Sequence, residues 1–190
     1  TEQTEVWVLF NNETVYVAAR CWDSQPSRMV ANEMRRDSYA MYGNENFAVL
    51  LDTFYDRRNG FSFMTNPLGG LFDQTITAER TGNVDWNTVW DVQTSRFDQG
   101  WMLEMAIPFK SLRYGTEAGQ YWGINFTRRV GWKNETSFLT PIPAALREMG
   151  SFQVSRAATL VGLEVPTSVA RFEVKPYAIA DLTTNLSANP

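Results

Sequence analysis

The chain has 190 residues, no histidine, one cysteine (Cys21) and a formal net charge of −4 at pH 7. Without histidine it cannot carry a Ser-His-Asp or Cys-His nucleophile or an imidazole metal site, and one cysteine allows neither an internal disulfide nor a cysteine-rich zinc site. The acidic balance argues against a nucleic-acid partner held by phosphate neutralisation, so we expect no such partner.

Length and composition favour one domain that is rich in aromatic residues. A chain of this length can bury one sizeable core. It contains seven Trp, seven Tyr and twelve Phe, and fourteen of its seventeen basic residues are arginine. Guanidinium groups suit planar, stacked and bidentate contacts. No apolar run approaches the ~18 residues that a membrane-spanning helix needs.

Alternation of apolar and polar residues starts close to the N-terminus. Residues 6–10 and 15–22 alternate on either side of a polar turn at residues 11–14, which predicts a β-hairpin. One face of its second strand is small and apolar and is expected in the core: Val15, Val17, Ala19 and Cys21. The opposite face of the hairpin is either a second packing surface or an aromatic platform, and it carries Trp7, Tyr16, Arg20 and Trp22.

The following segments also predict strands. Residues 23–46 are polar and predict a long loop with room for one short helical turn, and loops of this length often carry function. Residues 47–54 are apolar enough for a strand buried on both faces. One helical turn is expected at residues 109–112. Further strands are expected at residues 61–66, 71–77, 88–95, 101–107, 121–130, 137–139, 159–163 and 171–180.

The spacing of these strands predicts the fold class. Strands about 8–12 residues apart, joined by Gly, Pro, Asn and Asp, are typical of an antiparallel sandwich or barrel. No helical period is sustained over three turns, so we expect an all-β fold. Both ends of the chain lie in alternating segments, from which we also expect a piece of a longer protein.

The predicted strands contain a series of motifs in a fixed order. The longest runs from Leu51-Asp52 through the turn at residues 56–60 to Asn66-Pro67. Shorter motifs accompany it at residues 4–8, 15–18, 85–90, 100–101, 107–109 and 122–126. Over roughly residues 4–163 the series resembles carbohydrate-binding module family 9-like domains. The resemblance implies a β-sandwich of jelly-roll type, no catalysis, a role in binding glycans and, in some members, structural calcium.

The resemblance extends to a particular domain context. The most similar version of the pattern precedes a predicted outer-membrane β-barrel in long bacterial proteins, and residues 171–177 are similar to the start of that barrel region. It implies a sandwich domain at residues 1–165, and a linker with the start of a following β-region at residues 166–190. It also implies a periplasmic, outer-membrane or extracellular location in a Gram-negative bacterium.

The resemblance assigns sugar contacts to a few positions. In sugar-binding members, an aromatic residue ahead of the third strand and a Trp near the end of the domain hold the sugar ring. Tyr42, with Tyr39 close by, matches the first aromatic, and Asn66 matches a polar strand position. An acidic residue and an Arg that bind sugar hydroxyls in the family fall near Ala48 and Met64 here. No Trp lies between residues 137 and 157, where the second aromatic is expected.

Other aromatic and arginine residues are candidates on their own chemistry, because pyranose rings stack on aromatic surfaces. Trp86 and Trp132 lie in predicted loops and are candidate ligand contacts, whereas the strand residues Trp90, Trp101 and Trp122 are expected in the core or on a sheet surface. At a hairpin tip, Arg57 and Arg58 are either solvated turn charges or a fork for uronate, sulfate or carboxylate groups. Arg128 and Arg129 point to opposite faces of one strand, so only one of them can face a site.

Carboxylates raise the questions of catalysis and of metal binding. Asp85 and Asp91 are close in sequence, but nothing in the pattern places them across a cleft as a glycosidase requires. Asp52 follows an apolar run, where it either accepts backbone N–H groups or joins Asp23 or Glu45 in a calcium site. We therefore expect a non-catalytic domain that binds a glycan. The alternative is a module that packs against its own outer-membrane barrel or a partner protein.

Overall fold

The computed structural model describes residues 1–115 and 120–166, and every structural statement below refers to these residues. Within them, eleven strands form two antiparallel sheets that pack as a sandwich, with short 3₁₀ turns and no α-helix. The predicted all-β sandwich is therefore confirmed. No helix in this part of the chain has the length and apolar character to cross a lipid bilayer. The strand expected at residues 171–180 lies outside the described residues, and the predicted division at residue 165 stays a prediction.

The smaller sheet contains the predicted N-terminal hairpin. Asn11 Oδ1 closes the hairpin turn by accepting the backbone N–H groups of Glu13 and Thr14 at 2.8 and 2.9 Å. The sheet has the strand order β1-β2-β8-β7. Its strands are β1 (Thr4–Phe10), β2 (Thr14–Trp22), β7 (Asp91–Phe97) and β8 (Gly100–Pro108).

The larger sheet carries the remaining strands in the order β10-β9-β3-β4-β5-β6, and β11 pairs with β9 on the same edge as β10. Its first four strands are β3 (Asn46–Asp52), β4 (Gly60–Thr65), β5 (Phe72–Thr77) and β6 (Thr81–Asn83). The others are β9 (Trp122–Val130), β10 (Glu135–Phe138) and β11 (Ala158–Leu160).

Several features differ from the sequence-based expectation. The strand expected to start at residue 88 starts at Asp91, because the Asp73 carboxylate draws the preceding segment into the sandwich by accepting the Thr88 N–H and Trp90 Nε1–H, each at 3.0 Å. The short strand β6 and the 3₁₀ turns at Ala144–Phe152 were not expected. The predicted turn after β8 is confirmed as a 3₁₀ turn at Phe109–Ser111.

The core fills the space between the sheets. The small apolar face of β2 is buried as predicted, and so is every residue of β3. The inner face of β3 meets the smaller sheet, whereas Ala48 and Leu50 on its outer face are covered by residues of the larger sheet and its loops. Trp101 and Trp122 are fully buried and Trp90 is 2% exposed, so all three lie in the core, the first of the two places expected for them.

A buried ion pair joins the two sheets. Arg128 on β9 lies 3.3 Å from Glu45 Oε1, and both side chains are at most 2% exposed. The same guanidinium donates to the carbonyl oxygens of Gln3 at 2.8 Å and Trp22 at 2.6 Å, which lie on the first hairpin of the smaller sheet. Burial raises the pKa of Glu45, and hydrogen bonds from the Gly131 amide and Arg128 oppose that rise.

Three buried polar residues shape the loop before β3. Asn44 Oδ1 accepts the N–H groups of Asn32 and Glu33 at 2.8 and 3.1 Å. Asn66 Nδ2 donates to the Glu33 carbonyl at 2.6 Å. The Glu33 carboxylate accepts from Arg35 Nη2 at 2.7 Å and Ser38 Oγ at 2.8 Å. These bonds fix the segment that leads into the 3₁₀ turn Tyr39–Gly43.

We predict that Arg128→Met destabilises the domain by about 3–5 kcal/mol, because it leaves the Glu45 carboxylate buried without its partner. Urea unfolding followed by tryptophan fluorescence measures this change. Arg96→Met, at an exposed position of β7, is the matched control and should change stability by less than about 0.5 kcal/mol. Equal stability of the two variants would contradict the role of the ion pair.

We predict a second effect from Glu33, whose pKa is lowered to about 2 by hydrogen bonds from Arg35 and Ser38. A carboxylate with a lowered folded-state pKa stabilises the fold above its ordinary pKa near 4.5, and this stabilisation is lost as the pH falls toward 2. Glu33→Gln should therefore be less stable than the parent at pH 7, and the gap should narrow between pH 4.5 and 2. Urea midpoints across this range test the prediction, with Glu13→Gln in the exposed β1–β2 turn as control. A gap that is independent of pH would rule it out.

Candidate functional site: a cleft on the outer face of the larger sheet

A row of outward-facing residues forms the floor of a cleft across the larger sheet. Strand register places one residue from each of five neighbouring strands side by side. In order from β10 to β5 they are Phe138, Thr127, Ala48, Met64 and Phe72. All but Phe72 line the cleft directly, and the cleft has a volume of about 50 Å³. The sheet therefore presents a largely apolar floor beneath a narrow cleft.

Polar side chains flank this floor. On one side the register places Asn46, Arg129 and Thr136 in a row across β3, β9 and β10. On the other side Ser62 and Gln74 pair across β4 and β5. All five line the cleft, together with Ser151 from the 3₁₀ turns at Ala144–Phe152. Hydroxyl, amide and guanidinium groups thus surround the apolar centre.

Tyrosines form one wall of the cleft. Tyr42 packs edge-on against Phe72, with ring centroids 5.4 Å apart, and its hydroxyl accepts a hydrogen bond from Gln74 Nε2 at 3.1 Å. Tyr39 stacks on Tyr42 at 6.4 Å and 17° and is 64% exposed. The 3₁₀ turn that carries both tyrosines is capped by Ser38 and fixed by the Glu33 network. An aromatic surface is therefore held rigidly at the rim.

Phe138 lies at the opposite side, on the edge strand β10. Its ring packs against Gly150, where an added Cβ would come within 2.8 Å of the Phe138 ring. A glycine at this position is therefore required for the turn to cover the ring closely. Sequence reasoning sought a second aromatic wall as a Trp after residue 137 and did not consider Phe138.

Arg129 is the only cationic residue that lines the described part of the cleft. Its Nη2 donates to Asn134 Oδ1 at 3.0 Å, and its Nε is buried without a partner among the described residues. No carboxylate lines the described part of the cleft. The arrangement can bind through stacking, apolar contact and hydrogen bonds, and its described lining residues include no pair of carboxylates of the kind that glycoside hydrolysis needs.

The structure brings only some of the predicted residues together. Of the predicted contacts, Tyr42 lines the cleft and Tyr39 stacks on Tyr42. Ala48 and Met64, which stand where the resembled family has its acidic and arginine contacts, line the cleft as well. Asn66 does not reach it, because this fully buried side chain bonds to the Glu33 carbonyl and to the backbone N–H groups of residues 68 and 70. Its observed bonds hold the loop that carries the tyrosines.

Trp86 lies on the other side of the larger sheet. Its ring packs at 4.8 Å from that of Phe61 and at 5.9 Å from that of Phe63, both on the inner face of β4. Trp86 is only partly buried there, where its segment folds over the edge of the core, and its role as a ligand contact stays a prediction. Trp132 is partly buried away from the cleft, where Arg28 lies 4.8 Å from its ring centroid and Asp23 accepts its Nε1–H at 3.1 Å.

The two hairpin arginines have different surroundings. Arg57 lies 4.1 Å from the ring centroid of Tyr55 and donates to Thr159 Oγ1 at 3.1 Å and to the Ala157 carbonyl. It thereby ties the β3–β4 hairpin to β11. Arg58 is exposed at the hairpin tip. Neither residue lines the cleft, and a role for them in binding a ligand stays a prediction.

The three carboxylates named for calcium do not form one site. Asp52 accepts the N–H groups of Asp56 and Arg57 at 3.1 and 2.8 Å, which is the first of its two predicted roles. Glu45 bonds to Arg128 at the other end of β3, about 20 Å away for a strand of this length. Residues 1–115 and 120–166 contain no group of three or more potential acidic or cysteine metal ligands.

Arg129, Gln74 and Phe138 are site residues that sequence reasoning did not single out as contacts. The period-2 pattern of β9 does assign Arg129 to the face of Asn125 and Thr127, so a signal for it was present. The Gln74 and Phe138 positions carry no such signal, because their place in the cleft depends on which strands become neighbours.

Known structures share this fold. A carbohydrate-binding module family 9 domain from Caldicellulosiruptor kristjanssonii, solved with cellotriose, is 14% identical and superposes with a TM-score of 0.56 over 93% of this chain and 82% of its own. The same module solved with glucose gives 15% identity and a TM-score of 0.58 over 92% and 81%.

A "putative carbohydrate-binding protein" from Bacteroides uniformis is 13% identical, with a TM-score of 0.66 over 84% of this chain and 78% of its own. No protein-family model and no curated protein sequence matches the chain. At these identities the likeness concerns the fold, and the chain has the β-sandwich fold of carbohydrate-binding module family 9.

Proposed function

We propose that the chain is a non-catalytic carbohydrate-binding domain of a bacterial cell-envelope protein and that it binds a glycan in the cleft of the larger sheet. The observation that carries the proposal is the meeting of Tyr42, Ala48 and Met64, the positions that the family resemblance assigns to sugar contacts, in one cleft. The fold neighbours that were solved with cellotriose and glucose support the same ligand class.

The chemistry of the cleft suits a sugar ring. An aromatic surface at Tyr42 offers a face on which pyranose C–H groups can pack, and the apolar floor at Ala48 and Met64 extends this contact. Neither floor residue can bond a hydroxyl group. Hydrogen bonds to the ligand would therefore come from Thr127 in the floor and from the flanking side chains, of which Asn46 and Ser62 are the nearest to the floor by register.

We predict that Tyr42→Ala weakens glycan binding at least about tenfold, or ~1.4 kcal/mol, because it removes one wall of the cleft. A glycan array identifies a ligand, and calorimetric titration of that ligand measures the change. Trp7→Ala is the matched control, since Trp7 is an exposed aromatic residue on the opposite sheet. Loss of binding in Trp7→Ala but not in Tyr42→Ala would place the ligand elsewhere, and no binding to any array glycan at millimolar concentration would remove the proposal.

A second candidate function is docking of another protein surface on the outer face of the smaller sheet. Trp7 and Leu9 are 47% and 57% exposed on its edge strand. Nearby, Trp22 packs edge-on against Phe97 at 5.2 Å, and Arg20 pairs with Glu5 at 3.8 Å. An exposed apolar patch of this kind is typical of interaction surfaces, and the partner would be the protein's own outer-membrane barrel or another envelope protein.

We predict that Trp7→Cys in the full-length protein crosslinks to a partner segment through a thiol-reactive photo-crosslinker. Cys21 does not compete, because it is buried and burial raises the pKa of its thiol to about 12. Arg80→Cys, at an exposed position outside both faces, is the control. Equal crosslinking from both positions would rule out a specific contact at this face.

The envelope location rests on the sequence resemblance and has a direct test. Fractionation of the native cells, probed with an antibody against this chain, should recover the protein in the periplasm or the outer membrane. Recovery in the cytoplasmic fraction would contradict the envelope location. It would not bear on glycan binding, which the Tyr42→Ala titration tests.

A further inference from the structure

We propose that the cleft prefers an acidic glycan, with a sugar carboxylate held by Arg129. This inference rests on the proposed glycan-binding function and specifies its ligand. Three observations support it: the charges of the described residues that line the cleft, the unbonded N–H groups of Arg129, and the apolar floor at Ala48 and Met64.

The charge balance of the cleft is positive. Among the described lining residues Arg129 is the one charged group, and the others are apolar or neutral polar. Nearby carboxylates face elsewhere. Glu135 precedes Thr136 on β10 and so points to the opposite face, where it lies 3.8 Å from the N-terminal amine. Asp73 is buried on the inner face of β5, bonded to Arg36 and Trp90, and Glu45 is bonded to Arg128.

The Arg129 guanidinium has N–H donors that no described residue accepts. Only Nη2 is bonded within the described part of the protein, to Asn134 Oδ1 at 3.0 Å. The Nε atom is buried without a partner there, and Arg129 forms no ion pair with a described carboxylate. The Asn134 bond holds the planar group in position, so a ligand carboxylate meets a cation that is already oriented. Guanidinium binds carboxylate through parallel N–H···O bonds, which a neutral hydroxymethyl group cannot match.

The residues beside Arg129 can complete a carboxylate subsite. Asn46 and Thr136 lie directly across from it on the neighbouring strands and line the same cleft. The Asn46 amide nitrogen already donates to the carbonyl oxygens of Met41 and Asn44, which fixes that side chain. The Thr136 hydroxyl can donate to a second carboxylate oxygen. A uronate at this end of the cleft would therefore contact a fixed cation and a hydroxyl group.

The apolar centre of the floor also favours an acidic ligand over a neutral one. Ala48 and Met64 offer no hydrogen bonds, so a sugar lying over them replaces its hydroxyl–water bonds only through the polar side chains around the floor. A ligand that also carries a carboxylate gains a charge-assisted bond at the flank, which a neutral sugar of the same shape lacks. Charge thereby distinguishes two ligands that stack equally well on the aromatic wall.

The test uses matched pairs of ligands and of variants. The ligands are glucuronate and galacturonate trisaccharides, and the same trisaccharides with each carboxylate reduced to a hydroxymethyl group. Calorimetric titration of the whole chain should give at least tenfold tighter binding of one acidic trisaccharide than of its reduced counterpart. Raising the salt concentration from 0.05 to 0.5 M should weaken only the acidic ligand appreciably.

Variants assign the preference to one residue. Arg129→Gln should bring the acidic ligand to the affinity of its neutral counterpart, and Arg129→Lys should recover only part of the preference because it restores the charge without the planar fork. Arg96→Gln, an exposed charge deletion on the smaller sheet, should keep the full preference. Melting temperatures of all variants establish that each is folded.

The remaining outcomes separate this inference from the proposed function. If neutral glycans bind as tightly as acidic ones, the inference is overturned and the glycan-binding function stands. The inference is also overturned if an acidic preference survives in Arg129→Gln, since the charge would then act elsewhere. If no glycan of either kind binds, both the inference and the proposed function fall.

Discussion

The buried Arg128–Glu45 pair is the constraint on which the arrangement of the two sheets depends. Both side chains have lost nearly all contact with water, and the guanidinium bonds the backbone of the first hairpin while it is carried by β9 of the larger sheet. A buried charge of this kind is costly unless it is paired and hydrogen-bonded. The sheets are therefore fixed to each other at one point, and apolar packing fills the space around it.

That fixed point also orders the elements of the cleft. Glu45 comes directly before β3, so its bond to Arg128 sets where the long loop ends and where β3 begins. The Asn44, Glu33 and Asn66 network then holds the loop, and the loop presents the tyrosine wall over Phe72. Polar groups that do not line the cleft thus determine its shape. Asn66 is one of them: it supports the loop that carries the tyrosines and does not itself reach the cleft.

Sequence periodicity was sufficient for the strands whose partners are close in the chain or whose burial is complete. The β1–β2 hairpin, the doubly buried β3 and the inward-facing Trp101 and Trp122 follow from alternation and apolar content alone. Contacts between elements distant in the chain could not be derived in this way. Trp86 enters the core because Asp73, on another strand, anchors the residues that follow it. Phe138 reaches the cleft because β10 pairs beside β9.

The adjacency of Arg128 and Arg129 has a consequence for how the register of β9 is fixed. Because neighbouring strand residues point to opposite faces, a shift of β9 by one residue in one direction would bring Arg129 to the position of Arg128, and a cation would still face Glu45. The large apolar residues Trp122, Ile124 and Phe126 are what lock the strand in register. The apolar packing of β9 therefore excludes a shift that the ion pair alone would tolerate.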